Sequence, residues 1–381
     1  MRIGIEGQRL FRKKKHGMDV VAFEMVKNLQ AIDNSNEYFV FVKKDEDQCL
    51  QSSGNFRIIE LPGSPYPFWE QYLLPEAAAK AGCDILHCTS NTAPLRLEIP
   101  LIVTLHDIIY MESRSLFVQG FSGYQKLGNM YRRMVVPGIV KNCRKLITVS
   151  ESEKKRIADF FKLDDRKIEA VYNGVSSHFK QVTDTAELFY LKHKYKLPDR
   201  FFLFFGNTDP KKNTRGVLQA FSLFLKGSEE NTPLVILDLS RNELARLVQD
   251  LGDPLITDHI ILTGYIPNNE LPGIYSLSTV FLYPSLRESF GIPILEAMAC
   301  GVPVITSNTS SMPEVGGDAA LFIDPYTPGQ ITDAMKRVLY DHKLRSGLIE
   351  KGFINASKFS WTAMARHIHR IYQDIYQDSE Q

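Results

Sequence analysis

Long apolar stretches are missing from this chain of 381 residues. No run reaches the roughly eighteen apolar residues a membrane-spanning helix needs, so any membrane contact is expected to be peripheral. The amino terminus, Met1-Arg2-Ile3-Gly4-Ile5-Glu6, enters a strand pattern at once and lacks the apolar core of a signal peptide. Cysteine is sparse: Cys49, Cys83, Cys88, Cys143 and Cys300 show neither a C-x-x-C pair nor zinc-ligand spacing. An odd, scattered set of this kind reads as reduced thiols in a cytoplasmic protein and predicts no metal site. Charge of one sign is also lacking. The net charge of +1 implies no polyanion partner such as nucleic acid for the molecule as a whole. The halves differ slightly, residues 1–180 carrying 26 Lys+Arg against 21 Asp+Glu (+5) and the rest 19 against 23 (−4). That imbalance favours an anionic acceptor, or the inner face of a membrane, on the first half. Sequence repeats and low-complexity tracts are absent too.

What is present is an alternation of short apolar strands with helical segments. Strands are predicted at 2–5, 38–42, 57–60, 84–87, 101–105 and 145–149, with helices at 19–31, 69–81, 121–141 and 151–161. Ser150-Glu151-Ser152-Glu153 has the pattern of a capping box. Residues 176–185 read as a linker. A second alternation follows: strands 201–205, 234–237, 259–262, 280–283 and 302–306, and helices 214–225, 242–250, 269–276 and 293–299. Helices near 328–340, 342–357 and 361–377 close the chain. The pattern predicts an α/β protein of two doubly wound, mostly parallel domains facing a common cleft. The expected divisions are 1–180, 181–358 and a terminal helix, 359–381, packing back on the first domain.

The most informative stretch is Glu288-Ser289-Phe290-Gly291-Ile292-Pro293-Ile294-Leu295-Glu296. It follows the strand Val280–Tyr283, and Pro293 suits the first turn of a helix. The N–H groups of Phe290, Gly291 and Ile292 at that helix start are suited to phosphate. Two carboxylates beside a phosphate cradle need other partners. Sugar and ribose hydroxyls fit, because an ionised carboxylate only accepts hydrogen bonds. The stretch therefore reads as a nucleotide-sugar site.

Residues 259–325, HIILTGYIPNNELPGIYSLSTVFLYPSLRESFGIPILEAMACGVPVITSNTSSMPEVGGDAALFIDP, closely resemble glycosyltransferase family 4. So do IVTLHDIIY (102–110), LITVSESEKKRI (146–157), VYNGV (171–175) and FFGNTDPKKN (204–213), in the family's order. The resemblance implies the GT-B fold, with two Rossmann-like domains, and a retaining, metal-independent transferase that needs no cofactor. Its donor would be a GDP-sugar or UDP-sugar and its acceptor a glycan or lipid-linked oligosaccharide. It also implies roles for single residues. Glu288 would contact the donor sugar, Glu296 the ribose and Lys212 the diphosphate, and His106 would line the sugar pocket. Gly17, Asn207, Lys211, Ser289, Phe290, Gly291, Ile292 and Tyr265 would complete the donor site, with base contacts from backbone near Gly264-Tyr265-Ile266.

Three positions depart from the family pattern. Asp19 stands where a second glycine is common, and is expected either to meet the acceptor or to cap the next helix. Ser289 replaces a frequent glycine, and no arginine accompanies Lys211 and Lys212. Asp107 is expected at the acceptor or as a support for His106. Arg12-Lys13-Lys14-Lys15 reads as a solvated loop or as a basic finger over an anionic acceptor. Tyr66-Pro67-Phe68-Trp69 reads as packing at a helix start, with an acceptor-binding aromatic patch as the other reading. The expected activity is transfer of a hexose, mannose foremost. A UDP-linked glucose, galactose or N-acetylhexosamine donor and a non-catalytic sugar-nucleotide binder are the alternatives. Gly4-Ile5-Glu6-Gly7 is not the G-x-G-x-x-G fingerprint of a dinucleotide enzyme.

Overall fold

The computed structural model of the chain describes residues 1–13, 15, 17–112, 123–228 and 230–380, the side chains of 123–126, 379 and 380 apart. It divides into two units, Met1–Asn173 with Trp361–Gln381, and Gly174–Ser360. Among the described residues no helix is long and apolar enough to cross a membrane.

The first unit is built on seven parallel strands: β1 Arg2–Glu6, β2 Glu37–Lys43, β3 Phe56–Leu61, β4 Ile85–Cys88, β5 Leu101–Thr104, β6 Lys145–Thr148 and β7 Ile168–Ala170. Their order is β3-β2-β1-β4-β5-β6-β7. β4 and β5 are buried at every position, as strands are when helices cover both sheet faces. The helix Trp361–Glu380 belongs to this unit. Tyr372 meets His87 Nδ1 at 2.7 Å, and Thr362 donates to Asn28 Oδ1 at 2.8 Å.

The second unit repeats the plan with β8 Phe202–Phe205, β9 Leu234–Leu237, β10 Ile260–Gly264, β11 Val280–Tyr283, β12 Val304–Ser307 and β13 Ala320–Ile323. The order is β10-β9-β8-β11-β12-β13, again all parallel. Its core is rich in phenylalanine. Phe202, Phe204, Phe221 and Phe224 pack between sheet and helix at 0–1% exposure.

In each sheet the winding reverses at one place, between β1 and β4 and between β8 and β11. Loops leaving the carboxyl ends of those strands diverge and open a crevice, the usual ligand position in such sheets. Glu6 and Cys88 end the strands flanking the first reversal, and Phe205 and Tyr283 those flanking the second.

The unit boundary lies a few residues before the expected one. Gly174–Lys180 join the second unit, where Val175 N donates to Phe359 O at 3.2 Å and the Phe179 ring packs edge-on against Tyr275 at 6.1 Å. The expected linker ends in a helix, Thr185–Lys194, capped by the Asp184 carboxylate, which accepts from Ala186 N and Glu187 N. The helix predicted at 69–81 begins at Tyr66 and contains a π-helical turn, Trp69–Leu73. The predicted helix at 121–141 spans Gly123–Asn142, positions 121 and 122 lying outside the described residues. Ser150 Oγ accepts from Glu153 N at 3.1 Å, the capping contact its sequence predicts.

Candidate functional site

The second reversal gathers one set of the sequence-marked residues. After β8 the chain turns through Gly206–Lys212. Asp209 starts a single 3-10 turn, Pro210–Lys212, by accepting from Lys211 N, and Asn213 at φ +59° ends it. Asn207 fastens the loop: its Oδ1 accepts from Asp209 N at 2.9 Å and its carbonyl from Thr214 Oγ1 at 2.6 Å. Leu286 N donates to Lys211 O at 2.7 Å, locking this loop to the one that follows β11. The Lys211 side chain lies near Asp209, 3.7 Å away.

That registration puts Lys212 Nζ 2.7 Å from Glu288 Oε1 and 3.2 Å from the Tyr283 hydroxyl. The ammonium also lies over the Tyr283 ring, 5.1 Å from its centroid. Lys212 and Glu288 retain 20% and 12% side-chain exposure, so each reaches the surface of the crevice. Tyr283 is buried. Burial first, then the Glu288 carboxylate, holds its phenol well above the ordinary range, so it stays protonated.

Glu288 is fixed through its backbone, since its carbonyl accepts from Ser310 Oγ at 2.6 Å and Ser311 Oγ at 2.9 Å. Ser289 is half-buried on the same loop. Phe290 turns its ring into the core, 5.9 Å from Phe359, so only its backbone faces the helix start. Gly291 caps the helix Ile292–Ala299 at φ +107°, a conformation that disfavours any side chain. Ile292 and Pro293 form its first two positions. One turn on, Glu296 accepts from the Tyr275 hydroxyl at 3.0 Å. Burial raises its carboxyl to about 7, offset in part by that hydrogen bond. Tyr265 follows β10 at the same sheet edge and is exposed.

A second set lies at the reversal of the first sheet. His106 is buried just beyond β5, with Nε2 3.0 Å from Thr89 O and its backbone N donating to Asn91 Oδ1 at 2.6 Å. A carbonyl only accepts, so Nε2 carries the hydrogen and Nδ1 is the lone-pair nitrogen. Burial lowers the imidazole's pKa, against smaller upward effects from the Thr89 carbonyl and Asp107. Thr89 in turn donates N–H and O–H to the buried Glu6 carboxylate at 3.2 and 3.0 Å. Asp107 Oδ1 accepts from Ile109 N at 3.1 Å. Gly17 opens the helix Gly17–Ile32, with nothing within 4 Å of where a Cβ would stand. Asp19 is the third residue of that helix and buried, inside its first turn rather than at its cap; the capping expectation is corrected accordingly. In the basic stretch 12–15, Lys13 and Lys15 pair with Glu46 and Asp47, which ties both to a neighbouring loop; Lys14 lies outside the described residues.

Sequence reasoning passed over Tyr283 and Tyr275 as strand and helix core, and did not single out Glu6 or Thr89. The available signal was position: Glu6 and Tyr283 are polar-tipped residues ending otherwise apolar strands beside a winding reversal.

A family model described as glycosyl transferases group 1 matches residues 191–355, and one described as glycosyltransferase family 4 matches residues 16–179. O-antigen chain mannosyltransferase B of Escherichia coli is 34% identical over 278 residues, covering 73% of this chain and 71% of that protein. The chain belongs to this glycosyltransferase family. Serotype-specific mannosyltransferase WbdA of Escherichia coli is 28% identical over 241 residues, and the aligned part spans only 29% of that longer protein. Among solved structures, sucrose-phosphate synthase from Thermosynechococcus elongatus superposes with a TM-score of 0.73 at 19% identity, covering 99% of both chains. That likeness shows the fold: this glycosyltransferase is a GT-B protein of two parallel-sheet domains.

Proposed function

We propose that this glycosyltransferase moves a hexose, mannose foremost, from a nucleoside-diphosphate sugar to a glycan or lipid-linked saccharide acceptor, with retention at the anomeric carbon. The observation carrying the proposal is the Lys212–Glu288–Tyr283 cluster at the reversal of the second sheet, with Glu296 on the helix that follows Glu288. The named mannosyltransferase relatives support the choice of sugar.

In this reading the bond from the anomeric carbon to the phosphate oxygen breaks, and negative charge builds on the departing nucleoside diphosphate. Stabilising that charge is the largest catalytic lever. Lys212 and the N–H groups at the start of the helix Ile292–Ala299 supply it, Glu288 accepts hydrogen bonds from the sugar and Glu296 from the ribose. The acceptor oxygen bonds to the anomeric carbon from the face the diphosphate leaves, and its proton passes to the leaving phosphate oxygen. Lys212 provides the charge that a divalent ion provides elsewhere, so turnover is expected to survive EDTA. Peripheral contact of the first unit with a membrane carrying the acceptor belongs to the same reading.

The test is a donor panel of GDP-mannose and UDP-hexoses, read as transfer and as slow donor hydrolysis, with the anomeric configuration of the product assigned by NMR. GDP-mannose turnover with retention is expected. Preference for a UDP-sugar would replace the donor, an inverted product would remove the front-face route, and binding without turnover would leave a sugar-nucleotide binder.

A further inference from the structure

We infer that Arg9 anchors an anionic group, a phosphate or diphosphate, on the saccharide acceptor at the carboxyl edge of the first sheet. The inference rests on the transferase reading above and narrows its acceptor class. Arg9 lies in the turn that follows β1, where Gly7 N donates to Phe41 O at 2.8 Å and Leu10 N to Gly7 O at 3.0 Å. Leu10 and Phe11 are buried, so the turn is pinned just beyond the arginine. The guanidinium lies 5.9 Å over the ring of Tyr66. That ring is itself fixed, because the Tyr66 hydroxyl donates to the buried Glu70 carboxylate at 2.6 Å.

Arg9 Nε is buried and has no hydrogen-bond partner among the described residues. A buried donor left unpaired costs stability, and such a group calls for a partner. The neighbouring carboxylates are committed. Glu6 accepts from Gln8 N at 2.9 Å and from Thr89, while Glu70 accepts from Tyr66, Thr92, Tyr131 and Gln71. The charge of Arg9 also acts on His106, further lowering its imidazole pKa. A donor-only, planar cation stacked on an aromatic ring with its Nε edge unpaired is suited to bidentate recognition of phosphate oxygens. Of the basic stretch 12–15 that the sequence offered for this task, Lys13 and Lys15 are already paired.

The experiment compares two probes that share a sugar and differ in charge, mannose 1-phosphate and methyl α-mannoside, by calorimetric titration of the full chain. Wild type is expected to favour the phosphate about ten- to a hundredfold, the range for a hydrogen bond to a charged group. Arg9→Gln should abolish that preference and Arg9→Lys keep part of it, thermal unfolding showing that each variant folds. Inorganic phosphate should compete in wild type but not in Arg9→Gln. No preference in wild type, or one kept in Arg9→Gln, overturns the inference. GDP and UDP titrations run alongside separate the two claims. If neither nucleotide binds while the Arg9-dependent preference persists, the donor reading falls and the anion site stands.

Discussion

Lys212 and Glu288 form an ion pair of 2.7 Å across the winding reversal of the second sheet. Neither charge is fully buried, and the two come from loops registered on each other by the Leu286–Lys211 backbone bond. The pair keeps an ammonium in place at the crevice without leaving it bare. In the proposed reading an arriving diphosphate would compete with Glu288 for Lys212 and leave the carboxylate available to a sugar hydroxyl. Lys212→Ala is therefore expected to lower the rate of transfer by about a hundred- to a thousandfold, the loss typical of a preorganised group at developing charge. Steady-state kinetics check it, and near-wild-type turnover removes Lys212 from the mechanism.

Tyr283 accepts from Lys212, and its own hydrogen is available to Glu288. Tyr283→Phe keeps the ring beneath the ammonium and deletes only the hydroxyl. A loss of about tenfold in kcat/KM is expected, as for one hydrogen bond to a charged group. An unchanged circular dichroism spectrum separates the loss of the hydroxyl from a loss of packing. Wild-type kcat/KM in this variant rejects the hydroxyl's role.

Much of this was legible in the sequence because parallel sheets bury their strands on both faces. Runs such as Leu234–Leu237 and Val280–Tyr283 stand out as apolar. The edge strands β7 and β13 escaped because three or four residues, partly exposed, carry no contrast. The helix Thr185–Lys194 escaped because Leu191 is its one buried residue and no apolar stripe marks it. Glu288 and Glu296 could be picked out from their spacing, and Lys212 from the family resemblance. Their bonds to Tyr283 and Tyr275 depend on strand register and on a helix packed against the sheet, which no local window encodes. Arg9 was hidden for another reason: the basic stretch that follows it drew attention, and no local pattern shows that the Arg9 Nε is buried without a partner.

Gly291 adopts φ +107°, and a Cβ there would lie 3.2 Å from Ile294 Cδ1. Gly291→Ala should cost about 1–3 kcal/mol, from the strained backbone more than from the contact. For a unit of this size that lowers Tm by roughly 2–4 °C per kcal/mol. The same change tilts the N–H groups at the helix start, so nucleotide affinity should fall with it. A melting curve and a titration on one preparation test both, and an unshifted Tm argues against the strained conformation.

His106 donates from Nε2 to Thr89 O, and burial holds its imidazole neutral below the ordinary histidine range. An acid-side loss of activity between pH 6 and 7 is therefore not expected to come from this residue. His106→Gln should lower transfer while leaving the midpoint of the pH–rate profile where it was. A profile whose acid limb disappears in the variant assigns the titration to His106 instead.

Glu296 is the group expected to set that limb. Burial raises its carboxyl from an ordinary 4.5 to about 7, and in the proposed reading the ionised form is the stronger acceptor for a ribose hydroxyl. Nucleotide affinity should rise with pH through about 7 and level off above it, and Glu296→Gln should bind more weakly with no such dependence. Stability runs the other way. The unfolded chain releases this proton near 4.5 and the folded chain only near 7. Across that window the folded state holds more protons, so the stability contributed by Glu296 falls as pH rises and stays low above 7. Glu296→Gln, which cannot ionise, should melt higher than wild type at pH 8 and close to it at pH 4.5. If the two proteins differ by the same amount at both values, the carboxyl is not raised, and the pH dependence of nucleotide binding must come from another group.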